Sequence, residues 1–188
     1  MHGSSIKVLY VRRQPGGPAR GWLLAGPLAL PVALGRTGIG ANKREGDGAT
    51  PRGRFRLVRL WWRADRHARP RTLLPVRRIG PHDGWCEDPA DRHYNRPVKL
   101  SPKSSADRLA RKDGLYDFII ELDHNTRPRV AGRGSAVFVH IARPGFAPTA
   151  GCVALHAKAL RRLIGRIGPH TKIEIGSISP RAQERLTT

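Results

Sequence analysis

The run Ser135-Ala136-Val137-Phe138-Val139-His140-Ile141, followed after a short loop by Ala150-Gly151-Cys152-Val153-Ala154-Leu155, decides the fold and the chemistry of this chain. The first run alternates as a β-strand does, so Ala136, Phe138 and His140 share one face. A Pro- and Gly-rich loop separates the histidine from a cysteine that directly follows a glycine. Such an arrangement can bring a base to a thiol and leave the backbone amides of Gly151 and Cys152 to stabilise an oxyanion. We therefore predict the active site here.

The residues around this stretch predict a mainly β domain. Leu115–Leu122 (LYDFIIEL) is an apolar strand, and Thr171–Ile175 reads as the last one. Between Cys152 and that last strand, apolar residues at helical spacing predict a helix over His156–Arg166. We expect Cys152 to lie just before this helix, where unpaired amides favour an anion.

Short strands also dominate the first third of the chain. Ser4–Arg13 alternates, Gly21–Gly35 reads as two strands joined by a turn at Gly26-Pro27, and a further strand runs from Phe55 to Trp62. The Gly and Pro residues that separate these short strands favour a mainly antiparallel architecture. The segment Gly21–Gly35 also looks like a short signal-peptide core, but prolines interrupt it and it is too short to span a bilayer. We expect neither an export signal nor a membrane span.

Two segments lack a regular pattern. The Gly-rich run Arg36–Pro51 does not have the residue order of a phosphate-binding loop, and we interpret it as a structured surface connection. Arg63–Leu115 contains many prolines, and an irregular segment of this length suggests a lid or a substrate-facing loop. Within it, Trp85 and Tyr94 could line a cleft or pin the loop to the core, and the sequence leaves both open.

The charge of the chain is strongly basic. The formal net charge is +21, from 35 basic and 14 acidic residues. Such a charge is typical of a protein with a polyanionic partner. However, the arginines are spread from Arg12 to Arg185, and only 11 aromatic residues (4 Trp, 3 Tyr and 4 Phe) are available to stack on bases. We do not expect nucleic acid to be the partner.

The two cysteines, Cys86 and Cys152, could form at most one bridge, which would block Cys152 as a nucleophile. We expect both thiols to be unpaired. A free thiol is mostly protonated at neutral pH and needs a base or a positive field to react. His140 could be that base. The sequence offers no side chain to orient its ring, but a backbone carbonyl could do so.

These residues resemble the L,D-transpeptidase (YkuD-type) catalytic domain. That family's signature is a histidine, a loop, and then Ser/Thr-His-Gly-Cys with an apolar residue after it. Here His140, Thr149, Gly151 and Cys152 match it, and Thr50–Phe55 fits the family's Thr-Pro-x-Gly-x-Phe segment. The resemblance covers roughly residues 6–176 and includes further runs that look like a bacterial branch of the family: Lys43–Pro51, Trp85–Pro89, Tyr94–Arg96 and Gly151–Leu155.

The resemblance implies a mainly β fold: a YkuD-type, β-sandwich-like domain with one or two short helices. We expect a single catalytic domain over residues 1–178, followed by a polar C-terminal tail at 179–188. It also implies that the Cys152 thiol attacks a peptidoglycan stem peptide, that His140 takes the proton, and that the Gly151 and Cys152 amides hold the oxyanion. The resulting thioester would then pass to an amine of a neighbouring stem, forming a cross-link between diamino acids.

The resemblance implies no metal and no cofactor, possible acylation by carbapenems, and a periplasmic or cell-wall location. Two positions depart from the family pattern: Ala150 replaces a histidine, and Ala154 replaces an arginine that is often present. We therefore expect the substrate to be held by other residues, namely Thr149, Arg143, Tyr94 and Asn95. Two alternatives stay open: hydrolysis at the same site, as an L,D-carboxypeptidase or endopeptidase, and a basic binding module with vestigial catalysis.

Overall fold

The computed structural model describes residues 5–101 and 106–176. The predicted tail at 179–188 lies outside the described residues. The described strands are β1 (Val8–Arg13), β2 (Arg20–Ala25), β3 (Leu28–Ala33), β4 (Ile39–Gly40), β5 (Thr50–Pro51), β6 (Gly53–Trp62), β7 (Val76–Arg78), β8 (Asp83–Cys86), β9 (Arg96–Lys99), β10 (Asp107–Arg108), β11 (Phe118–Leu122), β12 (Phe138–Ile141), β13 (Val153–Leu155) and β14 (Lys172–Ile175). A 3-10 turn covers Pro144–Phe146, and the helix α1 covers Ala157–Ile164.

Nine strands form one sheet in the order β11-β12-β13-β3-β2-β1-β14-β6-β7. A further pairing of β11 with β6 closes the sheet into a ring, with β7 outside it. Six of the eight pairings around the ring are antiparallel, while β1–β14 and β12–β13 are parallel. The mainly β, sandwich-like fold predicted from the sequence is confirmed.

All eight ring strands send apolar side chains into one core, and α1 packs its own apolar face against it. Burial of this surface is the main source of stability, at about 25 cal/mol for each Å² removed from water. The helix is shorter than the predicted His156–Arg166. His156 has an extended ψ of 139° and caps the first turn by accepting a hydrogen bond from the amide of Lys158, and the helix ends before Gly165.

The strands predicted in the first third of the chain are present. Gly21–Gly35 covers all but the first residue of the hairpin β2–β3, whose two strands pair from Arg20↔Ala33 to Ala25↔Leu28. Among the described residues, no helix has both the length and the apolar character needed to cross a membrane.

The segment Arg63–Leu115 is more regular than its sequence suggested. It contributes the small sheet β10-β8-β9, which covers the outer face of β11 and β12. Trp85 lies in a second apolar cluster, edge-on to Phe138 with ring centroids 5.0 Å apart and to Trp61 at 6.4 Å. The sequence left two roles open for Trp85, and the structure shows that it pins this segment to the core.

Candidate active site

The parallel pairing of β12 and β13 brings the predicted base and nucleophile together. The register joins Val139 to Val153 and His140 to Ala154, so Cys152 is level with Phe138. Because side chains alternate along a strand, Phe138, His140 and Cys152 all project toward the second apolar cluster and the pocket beside it. The fold therefore turns a sequence separation of twelve residues into neighbouring positions on one face of the sheet.

The Cys152 thiol is held by backbone groups of the strand that leads to His140. Its Sγ donates to the carbonyl of Ala136 at 3.2 Å and accepts from the amide of Phe138 at 3.4 Å. Burial raises the pKa of the thiol to about 12, and the neighbouring carboxylates of Asp107 and Glu87 add to this effect. The Cys152 thiol is therefore protonated at rest.

The His140 ring is oriented by a carbonyl of its own strand. Its Nδ1 lies 2.8 Å from the carbonyl oxygen of Ile141, which can only accept, so Nδ1 carries the proton in the neutral ring. Nε2 is then free to act as the base. Burial lowers the pKa of His140 to about 4, and the Tyr116 ring packs edge-on against it at 5.3 Å between centroids. The histidine is therefore neutral at physiological pH, as a general base must be.

The expected position of Cys152 immediately before the helix is wrong. Strand β13 intervenes, and α1 begins only at Ala157 with His156 as its cap. The field of a helix N-terminus falls off within about one turn, so it does not act on the thiol. Val153–Leu155 forms a strand because it pairs with β12 on one side and β3 on the other.

The turn before the nucleophile is organised by Thr149. Its hydroxyl donates to the carbonyl of Cys152 at 2.7 Å and accepts from the amide of Gly151 at 3.1 Å. Gly151 has a φ of 150°, and a Cβ at this position would lie 2.8 Å from the carbonyl oxygen of Ala49. Only glycine fits this close approach. Since the Gly151 amide already has a partner, it would need to exchange that partner in order to bind an oxyanion.

A pocket of about 390 Å³ opens onto this pair. Of the residues predicted to form the site, five line it: His140, Arg143, Thr149, Gly151 and Cys152. The two departures from the family pattern, Ala150 and Ala154, also line it, so the missing histidine and arginine would have stood in this pocket.

Tyr94 and Asn95, which the sequence analysis placed among the substrate contacts, do not line this pocket. Both are buried. The hydroxyl of Tyr94 donates to Glu45 at 2.5 Å, and Asn95 makes hydrogen bonds within the protein through both ends of its amide. Their positions are those of supporting residues behind the site.

Several charged residues of the pocket were not singled out from the sequence. The lining also contains Arg36, Lys43, Glu45, Glu87, Asp107 and Arg111. Loss of water and the neighbouring carboxylates of Asp107 and Glu45 raise the pKa of Glu87 to about 7. Three of these residues lie in Arg36–Pro51, so that segment is more than a surface connection. Two signals in the sequence pointed to them: the family resemblance of Lys43–Pro51 and Trp85–Pro89, and the prediction that Arg63–Leu115 is a lid or a substrate-facing loop.

Both cysteines are free and buried. As expected from the sequence, Cys152 is not blocked by a disulfide. Cys86 lies on β8 and does not line the pocket that contains Cys152.

The closed β fold, with a thiol and an imidazole in one polar pocket, agrees with the comparison against protein families. Residues 14–175 match the family model of the L,D-transpeptidase catalytic domain, YkuD. The chain belongs to this family. No curated protein and no solved structure matches it significantly.

Proposed function

We propose that this protein is an L,D-transpeptidase that cross-links peptidoglycan stem peptides through a thioester on Cys152. The observation that carries the proposal is the buried thiol–imidazole pair in one pocket, with His140 Nε2 available as an acceptor. Membership of the L,D-transpeptidase family supports the same substrate class. We place the reaction at the cell wall, where this substrate lies.

In the proposed reaction the Cys152 sulfur attacks the carbonyl carbon of the bond before the terminal D-alanine of a tetrapeptide stem. The thiol proton leaves the Ala136 carbonyl and passes to Nε2 of His140. The oxyanion is held by the amide of Cys152, joined by that of Gly151 once it leaves Thr149. The C–N bond then breaks, and His140 returns the proton to the departing D-alanine amine. An amine of a second stem then attacks the thioester carbonyl carbon and forms the new amide. The C–S bond breaks, and the proton of the amine passes through His140 to the sulfur, which restores the thiol.

The pocket also suggests how substrate could be held without the two missing family residues. Arg143 and Thr149 line it beside Cys152 and could contact the peptide donor. No metal or cofactor is required for any step.

The test is a muropeptide assay. Purified tetrapeptide muropeptides are incubated with the parent protein, with Cys152→Ala and with Cys86→Ala, and the products are identified by mass. We expect cross-linked dimers from the parent and from Cys86→Ala, and none from Cys152→Ala. Tripeptides without dimers would instead favour hydrolysis at the same site, and identical products from the parent and Cys152→Ala would exclude both enzymatic functions.

The same proteins can be treated with a carbapenem. An adduct on the parent and on Cys86→Ala, absent from Cys152→Ala by intact mass, is the expected sign of a reactive Cys152 thiol. Absence of an adduct on the parent would count against the proposed function.

A further inference from the structure

Asn95 has a position that substrate binding does not explain. The residue is 3% exposed. Its Oδ1 accepts from the Trp85 indole at 3.0 Å and from the amide of Ala136 at 3.1 Å. Its Nδ2 donates to the carbonyls of His124 and Asn125 at 3.1 and 2.9 Å. All four hydrogen-bonding positions of the amide are thus occupied inside the protein.

The residue that Asn95 holds, Ala136, has an unusual backbone. Its φ is 50°, a conformation that costs a non-glycine residue about 1 kcal/mol or more. In this conformation its carbonyl faces the Cys152 thiol, and two residues later the amide of Phe138 faces the same sulfur. If Ala136 relaxed to an extended conformation, these two groups would no longer point to the sulfur together.

The neighbouring residue supports the same turn. The hydroxyls of Tyr94 and Ser135 both donate to one oxygen of Glu45, at 2.5 and 2.7 Å. Two consecutive residues, Tyr94 and Asn95, therefore secure two consecutive residues, Ser135 and Ala136. Tyr94 is joined to Ser135 through Glu45, and Asn95 is joined to Ala136 by a direct hydrogen bond.

We propose that Asn95 is a positioning residue for the nucleophile: it holds Ala136 in its left-handed conformation and so sets the two backbone contacts of the Cys152 sulfur. The inference rests on the proposed role of Cys152 but concerns a different residue, and it assigns Asn95 a role behind the pocket rather than in it. The same argument explains why the side chain of Asn95 is buried although the residue lies in an irregular segment.

The test uses Asn95→Gly, because glycine removes the side chain but tolerates the positive φ of 53° at this position. We expect the first-order rate constant of carbapenem acylation to fall about tenfold, because a displaced nucleophile loses its alignment. The carbapenem concentration at half-maximal rate should stay within about twofold, because Asn95 does not line the pocket.

Asn125→Gly is the matched control. Asn125 also has a positive φ, of 49°, and its side chain also ties a loop together through Val130 and Gly134. It contacts Asn95 only through its backbone carbonyl, which the substitution keeps, and its side chain does not bond Ala136. We expect this variant to lose stability and keep the acylation rate of the parent. Adding Ala136→Gly to Asn95→Gly should restore most of the rate, since glycine adopts a positive φ without support.

A spectroscopic measurement separates this inference from the proposed function. In a Cys86→Ala background Cys152 is the single thiol, and its infrared S–H band reports the hydrogen bond to the Ala136 carbonyl. We expect Asn95→Gly to shift this band toward that of a weaker bond, whether or not the parent is acylated by carbapenems. An unchanged band would overturn the inference, while lack of acylation in the parent would count only against the proposed function.

Should Asn95→Gly fail to fold, Asn95→Asp decides the question. The aspartate keeps an acceptor oxygen for Ala136 but places a second oxygen against the carbonyls of His124 and Asn125. We expect lower stability and a shifted S–H band, because the repelled carboxylate moves and displaces the Ala136 amide that it holds. The S–H band of the parent in this variant would overturn the inference.

Discussion

The Cys152–His140 pair rests as two neutral groups rather than as an ion pair. Burial raises the pKa of the thiol to about 12 and lowers that of the imidazole to about 4. A proton therefore does not move from sulfur to nitrogen before the substrate arrives. In the proposed reaction it moves while the sulfur attacks, when the charge that develops on the substrate oxygen can be held by the amides of the turn.

The buried His140 should also make stability depend on pH. The folded pKa of about 4 lies below the unfolded value of 6.5, so between these values the unfolded chain binds a proton that the folded protein does not. This contribution to stability is complete above the unfolded pKa and is lost as the pH falls toward the folded one. From about pH 7 to about pH 5, we expect the free energy of unfolding to drop by about 2 kcal/mol through this group.

Urea denaturation of the parent and of His140→Gln at both pH values checks this. The variant should lose less stability on acidification than the parent does, by about the same 2 kcal/mol. His170→Gln, at an exposed histidine, is the control and should follow the parent. Equal pH dependence in the parent and His140→Gln would contradict the prediction.

At the scale of elements, the turn that carries Cys152 is docked on the segment Arg36–Pro51 and the two residues before it. The amide of Thr149 donates to the carbonyl of Leu34 at 2.9 Å, and the amide of Arg36 donates to the carbonyl of Thr149 at 3.0 Å. Gly151 then passes directly over the carbonyl of Ala49. The position of the thiol therefore depends on a segment about a hundred residues earlier in the chain.

Gly151→Ala tests this docking. The added Cβ would lie 2.8 Å from the Ala49 oxygen, at a φ of 150° that alanine rarely adopts. We expect a loss of about 3 kcal/mol in the free energy of unfolding, and with it the loss of cross-linking activity.

Gly26→Ala, in the β2–β3 turn, is the matched control. Its φ is 62°, but nothing lies within 4 Å of an added Cβ. It should cost only about 1 kcal/mol, for the backbone strain alone, and leave activity unchanged. Thermal or urea denaturation measures both variants, and equal losses would show that the close approach of Gly151 to Ala49 contributes nothing.

Across the whole molecule, the charge of +21 contrasts with a pocket of nearly balanced charge. Three carboxylates (Glu45, Glu87 and Asp107) and four basic side chains (Arg36, Lys43, Arg111 and Arg143) line it. Most of the excess of basic residues therefore lies outside the site. It predicts non-specific attraction to polyanions, which is the remaining support for a basic binding module.

Salt dependence tests this. We expect the protein to be retained on DNA at low salt and released at about 0.2 M. Each phosphate contact releases counterions when it forms, and this gain shrinks as the salt concentration rises. Cys152→Ala should behave as the parent. Retention that persists well above this salt concentration, or depends on DNA sequence, would point to a specific nucleic-acid site and against our expectation.

Much of this architecture is readable from local patterns. Alternation placed the strands of the β2–β3 hairpin, and helical spacing placed α1 within two residues at each end. The strand expected from Ser135 starts later, at Phe138, because Ala136 has a φ of 50°. No sequence pattern around Ala136 predicts that conformation. It is imposed by residues distant in the chain, namely Asn95 and the turn of Cys152. The covering sheet β10-β8-β9 was missed because its strands have two to four residues each.

By itself, the sequence determined that the chain forms a mainly β domain of the L,D-transpeptidase family, and it predicted His140 and Cys152 as the chemical residues. These properties depend on residue type and spacing along the chain. Only the tertiary structure decided what surrounds the thiol: the Ala136 and Phe138 backbone groups, the carboxylates of the pocket, and Asn95 behind it. These groups come from separate strands and loops, and they meet only because the sheet closes and buries them together.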